Sequence, residues 1–113
     1  MKTSTNDLRG IRVLACAGAM TLGGGADDLD VAFERALRDA GGRIILDLTR
    51  LSYLDSAGVG AVVSCSKNAA ATGTVMKIAL QRQGPVRRIF EITQLERGFE
   101  IFDDADSAAA SFA

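Results

Sequence analysis

The chain has 113 residues, which is the length of one domain, and 48% of them are hydrophobic, which is enough for a single packed core. A formal net charge of -1 does not favour nucleic acid or an anionic membrane as the main partner. The absence of histidine removes Ser-His and Cys-His nucleophile pairs and most zinc or transition-metal sites.

The N-terminal segment, residues 1–10, is polar and poorly patterned, so it does not clearly predict a strand. It leads into only a short apolar stretch and does not resemble a signal peptide. No apolar run approaches the ~20 residues that span a membrane, so we expect a cytoplasmic protein. Residues 11–17 then predict a strand, and residues 18–25 predict a glycine-rich turn.

A first helix is predicted from residue 26, because Asp27 and Asp28 supply the acidic first turn that the helix dipole favours. Gly41 and Gly42 end this helix. Residues 43–48 form an apolar run that is typical of a buried central strand. The residues at helical spacing that should face the core are Leu29, Phe33, Ala36, Leu37 and Ala40.

A short extended link at residues 51–55 leads into a second predicted helix at residues 56–71. Gly73 ends that helix, and residues 75–80 predict another strand. The side of the helix that should face the core carries Val59, Val62, Val63, Ser66 and Ala70.

Pro85 marks the first turn of a third helix, where its missing N–H costs nothing. Residues 99–102 predict a short strand, and residues 104–112 a last helix. Strands separated by helices indicate βαβ units and a mostly parallel or mixed sheet in a single domain, residues 1–113. The inner face of the third helix is predicted to contain Val86, Ile89 and Phe90.

Several motif-like features lack the context that their chemistry requires. Cys16 and Cys65 have no metal-site spacing and are expected to be reduced, buried and small. Residues 64–67 spell S-x-x-K inside a predicted helix with no companion motif. Gly23-Gly24-Gly25 is not followed by Lys-Ser or Lys-Thr, so it predicts a turn and not a P-loop. We therefore expect no enzymatic activity, cofactor or metal.

The segment 55–60 is the strongest candidate for a functional site. Ser56 lies directly before a helix, where a serine N-cap contributes ~1 kcal/mol, and Asp55 adds negative charge at the same dipole end. Gly58 and Gly60 each cost ~1 kcal/mol relative to alanine inside a helix. Two such costs within one turn indicate a close approach, either of backbone or of a partner.

Two interpretations of this segment stay open on the residues alone. One is a capped helix that packs tightly on the sheet. The other is a phosphoacceptor at Ser56, because a helix N-terminus tolerates a phosphate well. A phosphate would add about -1.5 to -2 charges next to Asp55, and a partner that buries this surface would face an uncompensated charge. Ser56 is not in a G-x-S-x-G elbow, because position 54 is leucine.

The ordered pattern of these residues is similar to a known family. Leu-Asp-Leu-Thr at 46–49, Leu51 and Tyr-Leu-Asp-Ser-Ala-Gly-Val-Gly at 53–60 resemble the signature of STAS domains, the anti-sigma factor antagonists of bacteria. The resemblance covers most of the chain from about residue 11. The segments that resemble the family's following strand, helix and closing strand are residues 74–80, 86–95 and 99–102.

The resemblance implies an α/β fold of four or five strands in a mixed sheet, with helices packed mainly on one side. It makes Ser56 the regulatory serine, since Ser56 follows the motif's aspartate and the next position is Ala57. It implies an anti-sigma factor with serine kinase activity as the partner, released when Ser56 is phosphorylated with ATP, and a phosphatase that resets the cycle. The residues expected to contact the partner are Asp55, Ser56, Ala57, Gly58 and Gly60.

An alternative within the same family is a scaffold subunit of a stressosome-like or transporter-associated complex, in which the motif serves contact only. The chain also departs from the family pattern in two places. Residues 23–25 are richer in glycine than the loop that many members have there, and that loop often meets the partner. The family's N-terminal strand is poorly represented in residues 1–10. Both departures concern the identity of the partner and leave the expected fold unchanged.

Overall fold

The computed structural model describes residues 1–112, and within them five strands alternate with four α-helices after an initial pair of strands. A short 3-10 turn, Leu95–Arg97, precedes the last strand. The strands are β1 (Lys2–Leu8), β2 (Ile11–Met20), β3 (Arg43–Leu54), β4 (Val75–Ala79) and β5 (Ile101–Phe102). The helices are α1 (Gly25–Arg38), α2 (Ser56–Ala71), α3 (Pro85–Ile92) and α4 (Ala105–Ala110).

The strands form one mixed sheet in the order β1-β2-β3-β4-β5. β1 is antiparallel to β2, and all other neighbours are parallel. β3 lies at the centre, and its consecutive residues Ile44, Ile45 and Leu46 are completely buried. This confirms the mixed α/β sheet and the buried central strand that the apolar run predicts. The parallel pairing also brings the carboxyl ends of β2 and β3 to the same edge.

The two faces of the sheet are covered unequally. α1, α2 and α3 pack on one face, in a core that contains Phe33, Leu46 and Phe90. α4 packs on the opposite face, where Ala108 and Ala109 are buried. The arrangement confirms helices packed mainly on one side. The sheet residues buried beneath α4 are Ile11, Val13, Ile45 and Ala79.

The poorly patterned N-terminal segment forms β1 as one arm of a hairpin with β2. Arg9 and Gly10 connect the arms with φ angles of 56° and 79°, which is the left-handed geometry of a two-residue hairpin turn. Residues 2–7 are exposed, so β1 has no buried face. An apolar alternation could not mark this strand, since only Leu8 at its end packs against a core cluster.

Several predicted boundaries are wrong, and for β2 and β3 the reason is that the strands run further than their apolar runs. β2 continues to Met20 where a turn was expected from residue 18, and β3 continues to Leu54 through the expected link at 51–55. Shifts in the β2–β3 register near Ala17 and Gly18 absorb the irregularity and keep the strands paired. At the other end of the chain, β5 and α4 are shorter than predicted.

The predicted inner face of α2 is also wrong by about one residue. Of the five positions expected to face the core, only Val62 is buried, while Ala70 is exposed. α2 is apolar or small around most of its circumference, so helical spacing alone could not select the face that packs. The residues that do pack are Gly58, Ala61, Val62, Cys65 and Ala69.

Both cysteines are free and buried in the core between the sheet and helices α1 to α3. Burial, with a smaller contribution from Asp47, raises the pKa of Cys16 to about 12. Burial likewise raises the pKa of Cys65. The prediction that both are reduced, buried core residues is confirmed.

Candidate functional site

The candidate site forms where β2 and β3 end side by side. Met20, the last residue of β2, is paired with Leu54, the last residue of β3. The chain then turns into α2, and the Asp55 N–H donates a hydrogen bond of 3.3 Å to the Met20 carbonyl. The loop from β2 to α1 and the start of α2 therefore lie against each other at the carboxyl edge of the sheet.

Asp55 is the N-cap of α2, and the prediction that Ser56 caps the helix is wrong. Asp55 has the extended backbone of a cap, and its Oδ1 accepts a 3.0 Å hydrogen bond from the Gly58 N–H. Its Oδ2 accepts another 3.0 Å bond from the N–H of Leu22 in the loop before α1. One carboxylate therefore joins the helix start to the neighbouring loop.

These hydrogen bonds also set the charge state of the cap. The Leu22 N–H, followed by the Gly58 N–H, holds the pKa of the Asp55 carboxyl below its usual range. Both donors stabilise the ionised form, because a carboxylate is the stronger acceptor. Asp55 thus supplies a fixed negative charge at the N-terminus of α2.

Ser56 occupies the first turn of α2 with an exposed side chain. Among the residues that the structure describes, none forms a hydrogen bond with Ser56 Oγ, since Asp55 has already taken the capping role. The hydroxyl is consequently free to react or to meet a partner. Ala57, its neighbour, is half-buried and packs against the core.

Gly58 is required by the packing of α2 on the sheet. A Cβ at this position would collide with the Met20 carbonyl oxygen and would lie 2.8 Å from the Leu54 Cβ. The close approach indicated by the two glycines is therefore made by Gly58 within the fold itself. This glycine is buried, and it sets the distance between α2 and the ends of β2 and β3.

Gly60 has a different environment from Gly58. A Cβ there would meet no atom within 4 Å among the described residues, and the position is exposed. Gly60 follows Ser56 by four residues, which places both on the same strip of the helix surface. The fold does not need this glycine, and its effect is to leave the surface beside Ser56 without a side chain.

Leu22 is a surface residue that the sequence did not single out. It is 81% exposed, although its N–H is held by Asp55. The Thr21 carbonyl supports the same loop by accepting hydrogen bonds from the N–H groups of Gly24, at 3.1 Å, and Ala26, at 3.2 Å. A leucine within a glycine-rich turn was the available signal, but its hydrogen bond to Asp55 depends on the β2–β3 pairing.

The structure shows two further facts that bear on chemistry. Within residues 1–112, no group of three or more histidine, cysteine, aspartate or glutamate side chains is arranged to hold a metal ion. In the same part of the chain, no helix has the length and apolar character needed to cross a membrane. The groups that the candidate site presents are the Ser56 hydroxyl, the Asp55 carboxylate and the exposed Leu22 side chain.

Known proteins share both the sequence pattern and the fold. Residues 3–108 match the family model described as STAS domain. BtrV of Bordetella bronchiseptica, named as a candidate anti-sigma factor antagonist, is 26% identical over 112 residues, covering 99% of this chain and 95% of BtrV.

Solved structures extend the comparison to three dimensions. An anti-sigma factor antagonist from Mycobacterium paratuberculosis superposes with a TM-score of 0.85 and 19% identity, covering 97% of this chain and 92% of the other. The Bacillus cell fate determinant SpoIIAA in its phosphorylated form superposes with a TM-score of 0.67 and 20% identity, covering 99% and 100%. These structures share the fold, and the family model matches most of the chain. The chain therefore belongs to the STAS domain family.

Proposed function

We propose that this protein is an anti-sigma factor antagonist whose binding to its anti-sigma factor is switched by phosphorylation of Ser56. The observation that carries the proposal is the exposed, unbonded Ser56 hydroxyl at the start of α2, next to the fixed carboxylate of Asp55. The names of BtrV and of the Mycobacterium protein support the same function, and SpoIIAA has been solved in a phosphorylated form.

The proposed modification is a phosphoryl transfer from ATP that the partner catalyses. Ser56 Oγ forms a bond to the γ-phosphorus, the bond from that phosphorus to the ADP oxygen breaks, and the hydroxyl proton passes to a base of the kinase. A phosphatase would later transfer the phosphoryl group to water. Ser56 contributes only the acceptor oxygen, and Ala57 offers no competing hydroxyl beside it.

The position of Ser56 lets the phosphate act on binding without unfolding the domain. The N-terminus of a helix favours an anion, so the 16-residue helix α2 tolerates the new group. The phosphate would add about -1.5 to -2 charges to a surface that already carries the Asp55 carboxylate. A partner that covers this surface would have to bury two adjacent negative groups, and it would dissociate.

The five expected contact residues differ in their surroundings, and one of them, Ala57, is half-buried against the core. Ser56 and Gly60 are exposed, and together with Leu22 we call them the switch surface. Two residues hold this surface in place without belonging to it. Asp55 does so through its hydrogen bonds, and Gly58 does so through its close packing on the sheet. In the proposal, the anti-sigma factor contacts the switch surface, with Leu22 as an apolar anchor beside the serine.

The test begins with a pull-down from native lysate to identify the anti-sigma factor, followed by incubation of the two purified proteins with ATP. We expect one phosphate on the wild-type chain, located at Ser56 by mass spectrometry, and none on Ser56→Ala. Ser64→Ala is the matched control, because Ser64 is another exposed serine on α2. A phosphate on Ser64 and none on Ser56 would contradict the assigned site, and stable binding by the phosphorylated chain would contradict the switch and favour a contact-only scaffold.

A further inference from the structure

β1 is an edge strand whose outer side has no partner strand in the described part of the chain. It is last in the sheet order, and residues 2–7 are exposed. Its pairing with β2 runs without a bulge from Lys2 opposite Ala17 to Leu8 opposite Ile11, and it contains no proline. Proteins protect such an edge with a bulge, a proline, charged side chains, a covering element or a very short strand, and β1 has only the charges of Lys2 and Asp7 near its ends. The other edge uses the last device, since β5 has two residues.

The hairpin geometry identifies the backbone groups that face outward. In a two-residue hairpin the residues that flank the turn, here Leu8 and Ile11, form a hydrogen-bonded pair. Hydrogen-bonded and non-bonded pairs then alternate along the ladder. The N–H and C=O groups of Thr3, Thr5 and Asp7 consequently point away from β2. They lie on a straight, exposed edge with free donors and acceptors in regular order.

The side chains of β1 complement a second copy of the same strand. An antiparallel pair with Thr5 opposite Thr5 of the second copy aligns all outward-facing backbone groups and places Thr3 opposite Asp7. A threonine hydroxyl can donate to the Asp7 carboxylate, whose other contact is Arg12. Ser4 meets Asn6, so no like charges are opposed across the pair.

We infer that β1 is a self-association site, at which two copies of this chain pair antiparallel through their β1 edges to form one continuous sheet. A second copy is the occupant that the register favours, because strand addition obtains its specificity from the alternate side chains of the added strand, and those of β1 find polar partners on a second β1. The polar side chains along β1 can donate and accept hydrogen bonds with those of a second β1. They belong to Thr3, Ser4, Thr5 and Asn6. The face of β1 that carries Lys2, Ser4 and Asn6 borders an open groove of about 500 Å³.

The inferred pairing is weak and independent of the switch surface. It forms backbone hydrogen bonds but buries no large apolar side chain, which is typical of small, transient interfaces. None of Leu22, Ser56 and Gly60 lies on β1, so both copies keep their switch surfaces accessible. Self-association and phosphorylation can therefore succeed or fail separately.

Sedimentation equilibrium of the full chain tests the inference, with samples from about 10 μM to about 1 mM because small interfaces are weak. We expect the average mass to rise from that of one chain toward twice that value. Thr5→Pro should stay monomeric, since it removes an N–H that the β1–β2 ladder does not use. Thr5→Ala keeps that N–H and should still associate. A single-chain mass at every concentration would overturn the inference.

A charge exchange tests the register without proline. Thr5→Lys alone and Thr5→Glu alone each place two like charges opposite one another, so each variant should lose association. An equal mixture should recover it, with a mass near that of two chains. A mixture that associates no more than its components would show that Thr5 does not lie at the centre of the pair, and would refute the assigned edge. Circular dichroism of each variant verifies its fold.

Discussion

Asp55 and Ser56 are neighbours, yet only Asp55 holds backbone in place. The sequence predicted a capped helix with acidic charge at its start, and the structure has one. The sequence alone could not show which of the two adjacent residues would occupy the N-cap position of α2, because aspartate and serine are both good caps. The Leu22 N–H favours Asp55 as the cap. The two carboxylate oxygens of Asp55 accept one hydrogen bond from the helix and one from the loop, whereas serine has a single side-chain oxygen.

The Asp55 cap should make stability depend on pH in a defined direction. Its pKa is lowered in the folded state, so the stabilisation is complete above the unfolded pKa of about 4 and is lost as the pH falls through the folded value. Asp55→Asn keeps one acceptor and loses the charge. We expect it to be less stable than wild type in urea unfolding at neutral pH, with the difference shrinking in acid. Because Asp104 is present in both proteins, its own lowered pKa cancels in this comparison. A gap that is constant with pH would contradict the ionised cap.

A fixed negative charge at Ser56 should weaken binding of the anti-sigma factor without altering the fold. An uncompensated buried charge costs ~2–5 kcal/mol, so we expect Ser56→Glu to raise the Kd at least ~10-fold. Calorimetry with the purified partner measures this change. Ser64→Glu adds the same charge about 12 Å further along α2 and should have little effect. Equal weakening by both variants would point to long-range repulsion and not to a local switch.

At the scale of elements, α2 and β1 show where sequence patterns stop being informative. α2 was placed at the correct residues, but its packed face was predicted wrongly, because small and apolar residues surround it on most sides. β1 was poorly marked because both of its faces are exposed, which removes the alternation of a half-buried strand. In both elements the missing information is which neighbour the residues meet, and this is settled only by tertiary packing.

The two glycines of α2 should respond oppositely to the same substitution. Gly58→Ala forces a Cβ against the Met20 carbonyl and Leu54, and we expect a loss of about 1–3 kcal/mol in the free energy of unfolding. Gly60→Ala meets open space and gains helix propensity, so it should stabilise by up to ~1 kcal/mol. Urea unfolding of the two variants measures both changes. Similar losses from both would show that Gly60 is also packed, contrary to its exposed position.

On the scale of the whole molecule, the sheet separates the face covered by α1, α2 and α3 from the face covered by α4, which we call the supporting face. The apolar run of β3 predicted a strand buried on both sides, and it is the middle strand of the sheet. The polar centre of the supporting face was not predictable: Lys77 on β4 is only 7% exposed. Its Nζ donates to Ser111 Oγ at 2.7 Å and lies 4.2 Å from the centre of the Phe112 ring. A lysine in a short strand carries no sign of burial until the end of the chain folds over it.

Because the two faces are separate, a substitution that destabilises the packing of α4 on the sheet should leave the structure around Ser56 unchanged. Phe112 is half-buried over Lys77, so Phe112→Ala should cost about 1–2 kcal/mol, less than the ~3–5 kcal/mol of a fully buried phenylalanine. Hydrogen exchange should then increase in α4 and in the β4 residues beneath it, but not at the start of α2. The rate of phosphorylation at Ser56 should be unchanged, because Asp55 draws its contacts from Leu22, Gly58 and Met20, all on the carboxyl edge of the sheet. Phe90→Ala is the matched control, since Phe90 lies in the core shared with α1 and α2. A slower reaction in Phe112→Ala, with α2 exchanging faster, would show that the two faces are coupled through the sheet.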